Sequence, residues 1–96
     1  MGDTPPILEG AALDAAMRGL DGWALEGGAL RKAFAFDSFV AAFGFMTRCA
    51  LEAERAGHHP DWSNRYARVQ VALTTHEAGG VTERDIALAR AFDAQA

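Results

Sequence analysis

The segment that follows Asp37-Ser38 constrains the fold more than any other part of the chain. Asp37-Ser38 is an N-cap signal, and a long helix is predicted from about Phe39 to Ala56, ended by Gly57. The first half of this helix, residues 39–46, is apolar on every side. One apolar face can pack on a sheet, but the remaining one needs another cover. In a chain of 96 residues a second subunit is the simplest cover, so we predict self-association through the central helix 39–56.

The residues before this helix predict a shorter helix and a β-hairpin. Apolar residues recur at helical spacing from about Leu8 to Leu20, which predicts a first amphipathic helix. A short strand is predicted over residues 23–26, and the two-residue hairpin signal Gly27-Gly28 follows it. Residues 29–36 then alternate between apolar and more polar positions, which is typical of a strand in an antiparallel sheet with one buried face.

The residues after the central helix predict two further strands and a last helix. Residues 62–74 alternate as strands do, with a bend or bulge expected at Asn64-Arg65. Thr82 and Asp85 form a T-x-x-D capping box that opens the last helix. The predicted order is α-β-β-α-β-β-α. This order indicates an α+β fold in which three helices pack on one face of a four-stranded antiparallel sheet.

Length, charge and cysteine content narrow the class of protein. The 96 residues fit one domain, predicted over residues 8–96 after a disordered segment at residues 1–7. The net charge of -4 and the scattered basic residues disfavour direct binding to nucleic acid. The single cysteine, Cys49, cannot form an internal disulfide, which fits a reducing compartment. No signal peptide is recognisable, and the longest apolar run, residues 39–46, is too short to span a bilayer. A cytoplasmic protein without membrane contact is therefore predicted.

All three histidines lie in two short segments, and these segments form the candidate site. His58 and His59 come directly after the central helix, and His76 follows the last predicted strand. The negative end of the helix dipole favours a protonated imidazole at this position. Pro60 favours an extended backbone at His59, so the two adjacent side chains should point to opposite sides and differ in role.

Other side chains would complete a cleft around these imidazoles. Trp62 would supply a flat apolar wall, and Thr74, Thr75 and Glu77 would supply hydrogen bonds. Imidazole gives and takes a proton near neutrality. The cleft therefore suits proton transfer on a planar heteroaromatic substrate.

Residue type alone leaves other interpretations open. The histidines could be surface residues, or three ligands of a zinc ion, although adjacent side chains diverge and their spacing is not typical of zinc ligands. Asp85 could serve only the capping box, and Glu54 could be a solvated residue of the central helix.

One composite pattern resembles the signature of a known family. The chain reads Glu54-x3-His58-His59-Pro60-x5-Tyr66-x9-His76-x8-Asp85. This spacing is similar to that of the pterin-4a-carbinolamine dehydratases, and seven fixed residue types at fixed gaps rarely coincide. The similarity extends from about Leu8 to the end of the chain and includes residues 42–48 and 82–86.

The resemblance implies a reaction and a set of site residues. The reaction is dehydration of 4a-hydroxytetrahydropterin, the 4a-carbinolamine, to quinonoid dihydropterin in tetrahydrobiopterin recycling, with no metal or organic cofactor. His58 and His76 would be the acid–base pair, and His59 would mainly position the substrate. The other implied roles are substrate binding by residues 74–77, a backbone contact at Gly57, and orientation of the imidazoles by Glu54 and Asp85.

The resemblance also implies partners. Family members are commonly tetramers joined through their central helices, so a homodimer or homotetramer is expected here. Some relatives act as dimerisation cofactors of a homeodomain transcription factor. A non-catalytic alternative is therefore a binding or regulatory partner of a transcription factor or of an aromatic amino acid hydroxylase such as phenylalanine hydroxylase.

Overall fold

The computed structural model describes residues 4–96 and has the predicted element order, α-β-β-α-β-β-α. The elements are α1 (Gly10–Ala16), β1 (Ala24–Glu26), β2 (Ala29–Ala35), α2 (Phe39–Ala56), β3 (Asp61–Arg65), β4 (Arg68–Leu73) and α3 (Glu83–Gln95). The α+β prediction is thereby confirmed. Within residues 4–96, no helix has the length and apolar character that crossing a membrane requires.

The four strands form one antiparallel sheet in the order β1-β2-β4-β3. Its centre is the pairing of β2 with β4, in which Leu30 faces Leu73 and Phe34 faces Val69. These four side chains are buried, whereas Arg31, between two of them in sequence, is exposed. The two central strands therefore alternate largely as predicted, with one face in the core and one face open.

The long helix α2 begins and ends where the sequence predicts. The Ser38 hydroxyl accepts a hydrogen bond from the Ala41 amide at 3.0 Å, and Gly57 closes the helix in a left-handed conformation with φ of +65°. Its buried side chains recur about once a turn and belong to the hydrophobic core; they are Ala42, Phe45, Cys49 and Ala53. Burial raises the pKa of the Cys49 thiol to about 12.

The outer side of α2 carries exposed apolar side chains. Phe39, Val40, Phe43 and Leu51 form this surface, which we call the α2 stripe. Val40 is 79% exposed and Leu51 is 67% exposed. The first half of the helix is thus apolar both toward the core and toward solvent, as its sequence indicates.

The first helix is shorter than predicted. The spacing from Leu8 to Leu20 predicted one helix, but α1 covers only Gly10–Ala16 and buries only Leu13. The alanines on its predicted apolar face are largely exposed, because a methyl group gains little from burial and does not determine which face turns inward. Leu20 is buried outside the helix.

The break between the last two strands lies slightly later than predicted. The bend expected at Asn64-Arg65 is a two-residue turn at Tyr66-Ala67, and Tyr66 has a φ of +52°. The Asn64 side-chain amide donates to the Tyr66 carbonyl at 3.0 Å and to the Arg68 carbonyl at 2.9 Å. Asn64 therefore stabilises the turn from within β3.

The start of the chain lies partly outside the described residues. The segment predicted to be disordered, residues 1–7, includes residues 1–3, which the structure does not describe. Residues 4–9 precede α1 without regular secondary structure, and the Leu8 amide donates to the Val81 carbonyl at 2.8 Å.

Candidate active site

The two histidine segments meet at one end of the molecule. α2 ends there, α3 begins there, and Asp61 at the start of β3 pairs with Ala72 near the end of β4. The turn at Gly57 lets the His58 amide donate to the Ala53 carbonyl at 3.1 Å, which fixes the start of the loop. Sheet pairing and the helix ends thus bring together residues that are far apart in sequence.

His58 is buried and held by a carboxylate. Its Nε2 lies 2.5 Å from Oδ1 of Asp85, and Asp85 is fully buried in the first turn of α3. The other oxygen, Oδ2, accepts from the Thr82 amide at 2.9 Å and from the Thr75 hydroxyl at 2.8 Å. Asp85 therefore closes the predicted capping box with one oxygen and contacts His58 with the other.

His59 lies in a different environment from its neighbour. Its Nε2 is 2.9 Å from Oε1 of Glu54, near the end of α2, and both side chains are mostly exposed. The two adjacent imidazoles thus contact different carboxylates, one buried and one exposed, which agrees with the predicted divergence of their side chains.

His76 stands on a tight turn that follows β4. The turn is closed by the Thr75 amide, which donates to the Gly80 carbonyl at 2.9 Å, and Gly79 adopts a left-handed conformation. The His76 Nε2 lies 3.8 Å from Oδ2 of Asp61, and both side chains are exposed. Sequence reasoning did not select Asp61, although a carboxylate directly after Pro60 in the candidate loop was an available signal.

The other predicted site residues occupy varied positions. The Trp62 ring is half-buried and stacks on Phe92, with the ring centres 5.9 Å apart. Thr74 donates its hydroxyl to the Gly28 carbonyl at 2.9 Å, and Glu77 is exposed. Thr75 is fully buried, and its hydroxyl is engaged within the protein rather than facing solvent.

Two concavities border this end of the molecule. A crevice of about 270 Å³ lies between α2 and α3, with His58, Arg55 and Arg84 among its lining residues. A broader trough of about 540 Å³ covers the open face of the sheet and reaches Asp61. The crevice borders the buried imidazole, and the trough borders the carboxylate next to His76.

The arrangement offers imidazole and carboxylate groups that can take part in proton transfer. Among residues 4–96, no three or more His, Cys, Asp or Glu side chains are grouped to hold a metal ion. Each imidazole instead lies beside its own carboxylate, at 2.5 Å for His58, 2.9 Å for His59 and 3.8 Å for His76. A neutral imidazole has one donor and one acceptor nitrogen, so each of these side chains can deliver or remove a proton.

Comparison with known proteins identifies the family of this chain. The family model described as pterin 4 alpha carbinolamine dehydratase matches residues 6–95. A relative from Rhizobium leguminosarum bv. trifolii, named for that dehydratase, is 53% identical over 88 residues, which are 90% of this chain and 87% of the relative. A relative from Rhodopseudomonas palustris with the same name is 56% identical over 82 residues, 83% of this chain and 81% of the relative.

Solved structures share the fold. The crystal structure of a transcriptional coactivator/pterin dehydratase from Brucella melitensis has a TM-score of 0.89 at 47% identity, covering 94% of this chain and 98% of the other. A pterin dehydratase-like protein identified as a RuBisCO assembly factor in the alpha-carboxysome has a TM-score of 0.64 at 26% identity, covering 76% of this chain and 84% of the other.

These matches give the enzyme class and the family of this chain. The chain is a lyase of the hydro-lyase class, enzymes that remove water from a substrate. It belongs to the pterin-4a-carbinolamine dehydratase family, as its sequence signature indicates.

Proposed function

We propose that this protein dehydrates 4a-hydroxytetrahydropterin to quinonoid dihydropterin by general acid–base catalysis, as a step of tetrahydrobiopterin recycling. The observation that carries the proposal is the buried pair of His58 and Asp85, at the end of the molecule where His59 and His76 also lie. A buried imidazole held by a carboxylate is pre-oriented for proton transfer.

The reaction needs two proton transfers and no change of oxidation state. A proton must reach the departing 4a-hydroxyl, and a proton must leave the adjacent ring nitrogen as the carbon–nitrogen double bond forms. His58 and His76 are proposed as the acid–base pair, and His59 as a substrate-positioning group. Each well-placed group is worth about 10²- to 10⁴-fold in rate. No metal or organic cofactor takes part in the proposed steps.

The proposed binding contacts use backbone and side-chain groups around the imidazoles. The segment 74–77 would hold the polar edge of the pterin, chiefly through residues 74, 76 and 77, because the hydroxyl, amide and carbonyl of Thr75 are engaged inside the protein. Gly57 would contribute a backbone contact, and Trp62 an apolar surface where its ring remains accessible beside Phe92.

A direct assay tests the proposal. Purified protein should accelerate the loss of 4a-carbinolamine absorbance, and His58→Ala or His76→Ala should slow this strongly. Asp14→Asn, an exposed change on α1, serves as the control and should behave as wild type. Full activity in the variant that lacks both His58 and His76 would contradict the proposal.

The α2 stripe favours self-association as a second property. Its exposed Phe39, Val40, Phe43 and Leu51 form an apolar surface of the kind that marks protein contacts. We propose a homodimer or homotetramer joined through helix 39–56. Light scattering should detect the oligomer, and Phe43→Asp should dissociate it; a wild-type monomer at micromolar concentration would contradict the proposal.

The same surface supports a second candidate function, that of a non-catalytic partner. The occupant would be a transcription factor or an aromatic amino acid hydroxylase such as phenylalanine hydroxylase, and the Brucella melitensis relative is described as a transcriptional coactivator. Co-purification that survives His58→Ala and is lost in Phe43→Asp would favour this function.

We also propose a cytoplasmic location. The buried Cys49, which forms no disulfide, suits a reducing compartment. Cell fractionation tests this location.

A further inference from the structure

The buried hydroxyls of Thr75 and Thr82 have no role in the proposed reaction steps. Both residues are fully buried, and their hydroxyl oxygens lie 2.7 Å apart. Thr82 is the N-cap of α3, and Thr75 precedes His76. We infer that Thr75 and Thr82 are positioning residues for His58 that act through the Asp85 carboxylate.

The hydrogen bonds around Asp85 allow only one assignment of donors and acceptors. Thr75 donates its single hydroxyl proton to Oδ2 of Asp85 at 2.8 Å, so Thr82 must donate its own to the Thr75 oxygen. The Thr82 oxygen in turn accepts from the Arg84 amide at 3.2 Å. The Thr82 amide adds a second donor to Oδ2 at 2.9 Å. All donors point along one chain toward the carboxylate.

The carboxylate at the end of this series of hydrogen bonds determines which nitrogen of His58 carries the proton. With Oδ2 occupied by two donors, Oδ1 is the oxygen that faces Nε2 of His58. An ionised carboxylate only accepts hydrogen bonds, so Nε2 is the donor and Nδ1 of the neutral ring is the acceptor. Nδ1 is then the nitrogen that takes a proton from the substrate or returns one to it. Loss of either hydroxyl frees the carboxylate to turn away from Nε2, and without this acceptor the Nε2–H tautomer is no longer favoured over the Nδ1–H tautomer.

The tautomer can be measured without any substrate. Nitrogen-15 NMR of labelled histidine distinguishes an Nε2–H ring from an Nδ1–H ring, and His59→Gln and His76→Gln assign the His58 signals. A pH series selects the spectrum of the neutral ring. Wild type is expected to show the Nε2–H tautomer, and Thr75→Val a mixture of both. An Nδ1–H ring in wild type would overturn the inference, whatever the variants do.

Kinetics then connect the tautomer to the reaction, and this step rests on the proposed function. Thr75→Val should lower kcat about tenfold, the cost of one hydrogen bond to a charged group, while KM changes less than about twofold. Thr75→Ser restores a hydroxyl and should restore both kcat and the spectrum. If wild type lacks dehydratase activity, the proposed function fails, but the NMR spectrum still shows which tautomer of His58 the protein holds.

A matched variant separates positioning from helix capping. Thr82→Val removes the α3 cap as well as the first hydroxyl of the chain, whereas Ser38→Ala removes the equivalent cap of α2. Both should lower thermal stability, but only Thr82→Val should change the His58 spectrum and kcat. Equal losses of kcat in the two variants, or unchanged His58 signals in folded Thr75→Val, would overturn the inference.

Discussion

His58 and His59 are adjacent in sequence and are held in opposite ways. The His58 side chain is 10% exposed and contacts a carboxylate with no solvent exposure, whereas the His59 side chain is 63% exposed and contacts an exposed carboxylate. A buried hydrogen-bonded ring keeps one orientation, but an exposed ion pair competes with water and contributes little. His76 resembles His59 in exposure. The site therefore combines one fixed imidazole with two that face solvent.

The largest expected effect comes from Asp85→Asn. The amide oxygen can still accept from the Thr82 amide, but the NH₂ group then faces Nε2 of His58 and forces the opposite tautomer. Activity should fall by about 10²- to 10⁴-fold, the effect of a misplaced imidazole proton. Stability should fall by only about 1–3 kcal/mol. Steady-state kinetics and urea unfolding measure the two effects. If Asp85→Asn kept activity within threefold of wild type, the buried carboxylate would matter no more to His58 than the exposed one does to His59.

A smaller effect is expected when His76 loses its carboxylate. Asp61→Asn removes an exposed partner at 3.8 Å, and such pairs contribute little. The ratio kcat/KM should fall no more than about fivefold. His76→Gln in the same assay should lose at least about 10²-fold. Equal losses in the two variants would mean that His76 depends on Asp61 as closely as His58 depends on Asp85.

A smaller effect still is expected at the partner of His59. Glu54→Gln is the same carboxylate-to-amide change as Asp85→Asn, placed on an exposed side chain. The new side-chain amide can still hydrogen-bond to the ring, so kcat/KM should stay within about twofold and the free energy of unfolding within about 0.5 kcal/mol. A tenfold loss of activity would show that exposure is a poor guide to function at this site.

Cys49 extends the comparison to a buried group that lies outside the site. Burial raises the pKa of its thiol to about 12, from about 8.5 in an unfolded chain. Between these values the unfolded chain loses the proton while the folded protein keeps it, so the free energy of unfolding falls as pH rises. The slope is at most about 1.4 kcal/mol per pH unit.

Cys49→Ala should remove this alkaline contribution and leave dehydratase activity at neutral pH within about twofold, because the residue belongs to the hydrophobic core rather than to the site. Urea unfolding of both proteins from pH 8 to pH 11 measures the difference. Parallel slopes would contradict the account of Cys49, and a large loss of activity would connect it to the site.

Local signals in the sequence predicted the element boundaries that depend on neighbouring residues. Ser38 and Gly57 bound α2, Gly27-Gly28 forms the first hairpin, and Thr82 caps α3. Each of these depends on backbone groups within a few residues. The alanine-rich first helix was predicted too long because alanines bury too little area to specify a face.

The environment of each histidine could not be predicted from local sequence. The proline predicted that His58 and His59 diverge, but not which of them is buried. That depends on where α3 starts relative to the end of α2, a contact between residues 27 positions apart. The contact of Asp61 with His76 could not be predicted for the same reason, since it follows from the pairing of β3 with β4. The identities of the site residues were available in the sequence, but their pairings were not.

The most direct test of the central claim is a double-mutant cycle on the dehydration rate. It compares His58→Ala, Asp85→Asn and the double variant with wild type. If Asp85 acts by holding His58, the double variant should be no slower than His58→Ala alone, within about twofold. If the two losses multiply, Asp85 and His58 act independently, and the account of one fixed imidazole at the centre of the site is wrong.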